Sequence, residues 1–214
     1  AIQALLQGKS FIAISASVLA QTQQAFFHAL RQLKTLSSND PNITNIELQK
    51  DRLNFQYCHQ QKQLKFFAPD NLCLQDFEFD LLMVDEAAQI PTPVLSTLLT
   101  KYHRMVFATT LHGYEGSGRG FELRFTKTLN QQTPNWKRLH LTQPLRWQEN
   151  DPLETVINQS LVLHAPATVR ALPDCPQSAL MQVEISNLSA SELNQSLETI
   201  FGLLVNAHYQ TTPN

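Results

Sequence analysis

Cysteine is scarce in this chain of 214 residues: Cys58, Cys73 and Cys175 are odd in number, far apart, and form no CxxC pair. That excludes a disulfide framework and a cysteine-based structural zinc site, and it fits a reducing compartment. Charge is sparse too, at 16% of residues with a net value of −2. The chain as a whole therefore exerts no electrostatic pull on RNA, and any nucleic-acid contact must be a local patch or be supplied by other domains. No apolar run approaches the roughly 20 residues of a membrane span, and the first residues lack a charged-then-apolar signal pattern. The seven histidines show no metal-ligand spacing and read as structural or solvent-facing. Repeats and low-complexity segments are absent. What remains is 43% hydrophobic residues, enough to bury a substantial core in one domain of this length.

The most informative stretch is Leu81-Leu82-Met83-Val84 running straight into Asp85-Glu86. Four apolar residues without alternation suit a strand buried on both faces, as in a parallel sheet, whose ligands gather outside the carboxyl ends of the strands. Asp85 and Glu86 fall at that end. A first carboxylate there can hold Mg²⁺ through water, and the next residue can orient or polarise an attacking water. Taken alone, the pair is equally a strand end followed by an acidic helix start. The next segment favours the first reading. Thr92 is placed to cap a helix with Pro93 in its first turn, and Val94, Leu95, Leu98, Leu99 and Tyr102 give it an apolar face. Met105-Val106-Phe107-Ala108 then resumes a strand. Strand, crossover helix and strand bring Thr109 and Thr110 beside Asp85 and Glu86, where their hydroxyls are candidates to sense a terminal phosphate or the water.

Elsewhere the pattern predicts the end of a helix at the start of the chain, a cap at Gly8 and a strand over residues 11–15. Ser17 is expected to cap a helix with Val18, Leu19, Thr22, Phe26, Ala29, Leu30 and Leu33 on one face, and residues 37–45 form a loop. Segments 54–57 and 64–67 flank a Gln-rich turn, as a hairpin or with Phe66-Phe67 feeding the central sheet. Phe121, Phe125 and Leu129 mark a helix after a glycine-rich loop, and Leu139 and Leu141 mark a strand. Asp151-Pro152-Leu153-Glu154 is a capping box opening a helix to about Leu163, and Ser189 with Glu192 caps a last helix. Between them lie a Pro-rich connector over 165–177 and a strand over 180–185.

The loop Gly113-Tyr114-Glu115-Gly116-Ser117-Gly118-Arg119-Gly120 holds four of the six glycines. Its spacing fails the dinucleotide fingerprint. An acyl-CoA pyrophosphate loop would also sit between strand and helix, but its leading Arg or Gln would fall at Gly113. The preferred reading is a mobile loop at the carboxyl edge of the sheet, in which Gly116, Gly118 and Gly120 give Arg119 freedom to reach a phosphate of ATP or RNA. Arg146 follows the expected strand at Leu141 in a Gln-Pro-Leu-Arg-Trp turn, where a guanidinium can reach over a nucleotide.

The strings Val84-Asp85-Glu86-Ala87-Ala88-Gln89-Ile90-Pro91, Phe107-Ala108-Thr109-Thr110, His112-Gly113-Tyr114-Glu115-Gly116-Ser117-Gly118-Arg119-Gly120-Phe121 and Gln143-Pro144-Leu145-Arg146-Trp147 resemble the helicase-like ATPase module of the tRNA(Met) cytidine acetyltransferase family. The resemblance runs over nearly the whole chain. It implies an α/β, RecA-like fold with a mostly parallel sheet flanked by helices. It also implies a bacterial cytoplasmic enzyme that uses acetyl-CoA, with Mg-dependent ATP or GTP hydrolysis, to make N4-acetylcytidine at the wobble position of elongator tRNA(Met). Its partners would be tRNA(Met) and the protein's own acetyltransferase domain. Asp85 and Glu86 would then be catalytic, and Arg146 would contact ATP as the matching arginine of the family does. One family feature is not found, the Gly-rich phosphate-binding loop ending in Gly-Lys-Ser or Gly-Lys-Thr. Gly8-Lys9-Ser10 fails its spacing, with Gln3 where a glycine is required, and it precedes a strand rather than following one. The expected organisation is therefore a core over residues 1–165, with the phosphate-binding loop upstream of Ala1, and a connector, strand and helix over 166–214 leading toward the acetyltransferase domain. The segment alone is expected to be inactive. The competing class is a non-catalytic module of P-loop fold that docks RNA or a partner.

Overall fold

The structure, a computed structural model, describes residues 1–110, 117–143, 148, 151–160, 189, 191–193, 195–197 and 200. By internal contacts the chain divides into one unit of Ala1–Thr110 with Phe121–Asn135 and a second of Leu111–Gly120 with Trp136–Asn214. The expected boundary at 165–166 lies outside the described residues.

The first unit is built on a six-stranded sheet in the order β2-β3-β4-β1-β5-β6. Its strands are β1 (Phe11–Ser15), β2 (Ile43–Leu48), β3 (Arg52–Tyr57), β4 (Gln60–Phe66), β5 (Leu81–Val84) and β6 (Met105–Phe107). β4, β1, β5 and β6 run parallel to one another, and β2 and β3 extend the sheet antiparallel. The α/β class with a mostly parallel sheet flanked by helices is thus observed. β1 shows why its apolar run lacks alternation: Ile12 and Ile14 enter one core and Ala13 the other. The first core also takes Ile2 and Leu5 of α1 (Ile2–Leu6) and Phe26, Ala29 and Leu33 of α2 (Leu19–Ser37). The second takes Leu82 and Val84 of β5, Leu72 of α3 (Pro69–Leu74), Leu95 and Leu98 of α4 (Thr92–Lys101), and Phe125 of α5 (Ser117–Gln132). Leu95 and Leu98 are fully buried, and each such side chain contributes about 1.5–3 kcal/mol by leaving water.

Several local expectations are met. Gly8 has φ +106, and the Lys9 N–H donates to the Ala4 carbonyl at 3.1 Å. This is the long return bond of a helix end closed by glycine, so Gly8-Lys9-Ser10 closes α1 and leads into β1. β4 plays both expected roles, pairing antiparallel with β3 and parallel with β1. In the second unit Asp151 Oδ1 accepts the Leu153 N–H at 2.8 Å, starting α6 (Pro152–Ser160). Ser189 and Glu192 cap each other reciprocally: Glu192 Oε2 accepts the Ser189 N–H at 3.0 Å, and Ser189 Oγ accepts the Glu192 N–H at 3.4 Å.

Other expectations are corrected. The turn joining β3 and β4 is Cys58-His59, both left-handed (φ 48 and 61), and the glutamines belong to β4 because a two-residue turn of this hand matches strand twist. Residues 43–45 open β2 rather than closing a loop. Val18 and Pro91, not Ser17 and Thr92, stand at the caps of α2 and α4. Helix α5 begins at Ser117, so the glycine-rich segment is already helical over 117–120. Leu139 and Leu141 form no strand and are 90% and 95% exposed. The predicted strand over 180–185 lies outside the described residues. No helix among the described residues is long and apolar enough to cross a membrane.

Candidate active site

Because β4, β1, β5 and β6 are parallel, their carboxyl ends share one edge of the sheet, the edge at which ligands of such sheets bind. There β1 closes with Ser15 and leads into Ala16-Ser17, β5 leads into Asp85-Glu86 and β6 into Ala108-Thr109-Thr110. The ladder continues one step past the strands. The Asp85 N–H donates to the Ser15 carbonyl at 2.8 Å, and the Ala108 N–H to the Val84 carbonyl at 2.8 Å. Asp85 is therefore placed by the sheet itself.

Glu86 is placed by a strained turn. Its backbone is left-handed, φ 45 and ψ 49, ahead of a single 3₁₀ turn over Ala87–Gln89. That conformation costs a residue with a Cβ about 1–2 kcal/mol and persists only where its surroundings over-determine it. Here the Glu86 N–H meets Asp85 Oδ1 at 3.2 Å. The Ala87 N–H donates to the Ala108 carbonyl at 2.9 Å, and the Ala88 N–H donates to Thr109 Oγ1 at 3.3 Å. Ala87 and Ile90 anchor the turn in the second core. Thr110 Oγ1 then donates to Glu86 Oε1 over a long 3.4 Å.

The structure thus brings Asp85, Glu86, Thr109 and Thr110 together, with distinct jobs for the threonines. Thr109 accepts from the turn backbone and keeps its own hydroxyl proton for a further acceptor, while Thr110 addresses the carboxylate. Gly116 and Arg146 lie outside the described residues. Gly118, Arg119 and Gly120 stand in the first turn of α5.

The donor set fits Mg²⁺. Asp85 and Glu86 are half-buried, offer hard oxygen ligands, and form no ion pair among the described residues. A Mg²⁺ site of this kind takes one or two carboxylates and fills its other positions with water and substrate phosphates. At the same edge Ser15 Oγ is buried without a hydrogen-bond partner among the described residues.

The contacts among Ser17, Gln21 and Gln89 at this edge have no counterpart in the sequence motifs. Gln89 Oε1 is approached by Gln21 Nε2 and, at 3.3 Å, by Ser17 Oγ. Ser17 Oγ also lies 2.8 Å from Gln21 Oε1. The available signal was a glutamine at the third position of α2, where a side chain folds back on the helix start.

The sheet and its acidic edge define an α/β module with a carboxylate pair at the carboxyl ends of parallel strands. Residues 1–164 match the family described as RNA cytidine acetyltransferase NAT10/TcmA, helicase domain, and the chain belongs to that family. The tRNA(Met) cytidine acetyltransferase TmcA of Vibrio cholerae is 39% identical over 203 residues, covering 95% of this chain and 27% of that protein. That of Nitrosococcus halophilus is 44% identical over 158 residues, covering 70% and 20%, and that of Yersinia pestis 39% over 161, covering 71% and 22%. The chain thus spans only part of these relatives' length. Among solved structures, the large terminase of a thermophilic bacteriophage in complex with ATP-gamma-S aligns with a TM-score of 0.49 at 12% identity, covering 71% of this chain and 36% of that one.

Proposed function

We propose that this chain is the nucleotide-hydrolysing, helicase-like module of a cytoplasmic tRNA(Met) cytidine acetyltransferase, coupling ATP or GTP hydrolysis to N4-acetylation of the wobble cytidine of elongator tRNA(Met). The observation that carries the proposal is the Asp85-Glu86 pair at the carboxyl edge of parallel strands, with Glu86 held in a strained turn against β6, in a chain of the RNA cytidine acetyltransferase family.

In this reading Mg²⁺ bound with the nucleotide would neutralise charge on its phosphates. Asp85 would hold the ion through water, and Glu86 would orient the attacking water. Thr110 steadies the Glu86 carboxylate, and Thr109 presents a hydroxyl toward the terminal phosphate. Arg146 is assigned to the nucleotide. Arg119, flanked by Gly116, Gly118 and Gly120, is assigned to a phosphate of nucleotide or RNA. Acetyl-CoA and the transfer step belong to the parent protein's acetyltransferase domain, which with tRNA(Met) is this module's partner.

The test is made in the intact parent protein by following N4-acetylcytidine formation on tRNA(Met) with acetyl-CoA and ATP. Glu86→Gln keeps the side-chain shape and removes the base, so acetylation should fall toward the level seen without ATP. Acetylation unchanged in that variant, and still ATP-dependent, would leave the non-catalytic docking module as the better account.

A further inference from the structure

The turn carrying Glu86 belongs to the central of three parallel strands, β1-β5-β6, and it is tied to both neighbours in different ways. Toward β6 the ties include backbone groups: Ala87 N–H to the Ala108 carbonyl, with Thr109 Oγ1 taking the Ala88 N–H. Toward β1 and α2 the tie is made by side chains. Gln89, the last residue of the 3₁₀ turn, presents Oε1 to Gln21 Nε2 and to Ser17 Oγ. One hydroxyl proton serves one acceptor at a time, and the shorter Ser17 contact goes to Gln21 Oε1. The Gln21 amide is therefore the principal donor to Gln89, and Ser17 orients it. Gln21 Oε1 also lies 3.5 Å from the Val18 N–H, which ties the same side chain to the start of α2. The Gln89 N–H in turn donates to the Glu86 carbonyl at 2.9 Å. A pull on the Gln89 side chain thus acts one hydrogen bond away from the left-handed residue.

We propose that Gln89 is a positioning residue for the Glu86 carboxylate, acting through Gln21 to fix the β1-facing side of the turn. The inference rests on the hydrolytic reading of Glu86 given above. Loss of the tie leaves the turn held by its bonds to β6 and by Ala87 and Ile90 in the core, with no side-chain restraint on its Gln89 end, so Glu86 samples orientations away from the water. The nucleotide itself is not touched. The effect therefore falls on turnover, with nucleotide binding spared.

The experiment uses the intact parent protein, with ATP hydrolysis measured as kcat and KM and thermal midpoints recorded in parallel. Gln89→Ala should lower kcat by about tenfold, equivalent to about 1.4 kcal/mol of barrier, with KM unchanged within about twofold. Gln21→Ala should do the same, and the double variant should be no worse than either single one, because both remove one interaction. Gln89→Glu keeps an oxygen for the Gln21 donor and should restore most of kcat, which a generally loosened fold would not do. Wild-type kcat in Gln89→Ala, additive losses in the double variant, or failure of Gln89→Glu to restore turnover would each overturn the proposal. Glu86→Gln is run alongside. If it hydrolyses normally, the underlying hydrolytic reading fails; if it is inactive while Gln89→Ala is normal, only the positioning role fails.

Discussion

At the residue scale, placement by the backbone matters more than residue type. Asp85 and Glu86 are adjacent in sequence, yet one sits where the sheet ladder continues and the other where the backbone turns left-handed. Asp80 does comparable work at the opposite, amino edge of β5. Its Oδ2 accepts the Ser10 N–H at 2.7 Å and the Phe11 N–H at 3.1 Å, fixing the entry to β1. These two hydrogen bonds hold its carboxyl below the ordinary aspartate value. A depressed folded value means the contribution is fully present above the unfolded pKa of about 3.9 and is lost as pH falls through the folded value. Asp80→Ala should therefore lower stability at neutral pH by about 1 kcal/mol, after discounting for solvent screening. In urea titrations the gap from wild type should narrow below about pH 4. A gap that stays constant down to about pH 3, well below the unfolded value, would show that the carboxylate charge is not involved.

At the element scale, Gly8 separates two accounts of Gly8-Lys9-Ser10. Its φ of +106 is strained for any residue with a Cβ, and an added Cβ would meet nothing within 4 Å. Gly8→Ala should thus cost about 1–2 kcal/mol of stability from backbone strain alone and leave ATP affinity of the intact protein unchanged. Lost affinity with unchanged stability would make the segment a phosphate loop instead. The contrast also shows what could be read from sequence. β1, β5, β6, α4 and the two capped helix starts in the second unit were legible because apolar runs and capping pairs are local signals. β2 was not. Its sequence Ile-Thr-Asn-Ile-Glu-Leu is polar on one side, with Ile43 buried and most of the strand exposed, and it is defined by pairing with β3. Leu139 and Leu141 alternate like a strand, yet alternation alone supplies no edge to pair with. The start of α5 was misplaced because Gly118 and Gly120 read as loop residues, although a first helical turn leaves its N–H groups without intrahelical partners in any case.

At the scale of the whole molecule, the first unit gathers the carboxylates and threonines on one edge of one sheet, between two cores that fix the strands from both faces. That convergence was legible because a parallel strand-helix-strand unit brings its strand ends together. The tie from Gln89 to α2 was not, since Gln21 and Gln89 are 68 residues apart and no local pattern relates them. The chain covers 27% of its Vibrio cholerae relative, so the account is tested in the intact parent protein, with Mg·ATP binding and steady-state hydrolysis measured side by side for wild type and Glu86→Gln. The account predicts that the variant binds ATP within about threefold of wild type while turnover falls by about a hundredfold or more, the scale of losing a positioned general base. Undiminished turnover at normal affinity would contradict it and remove Glu86 from the chemistry.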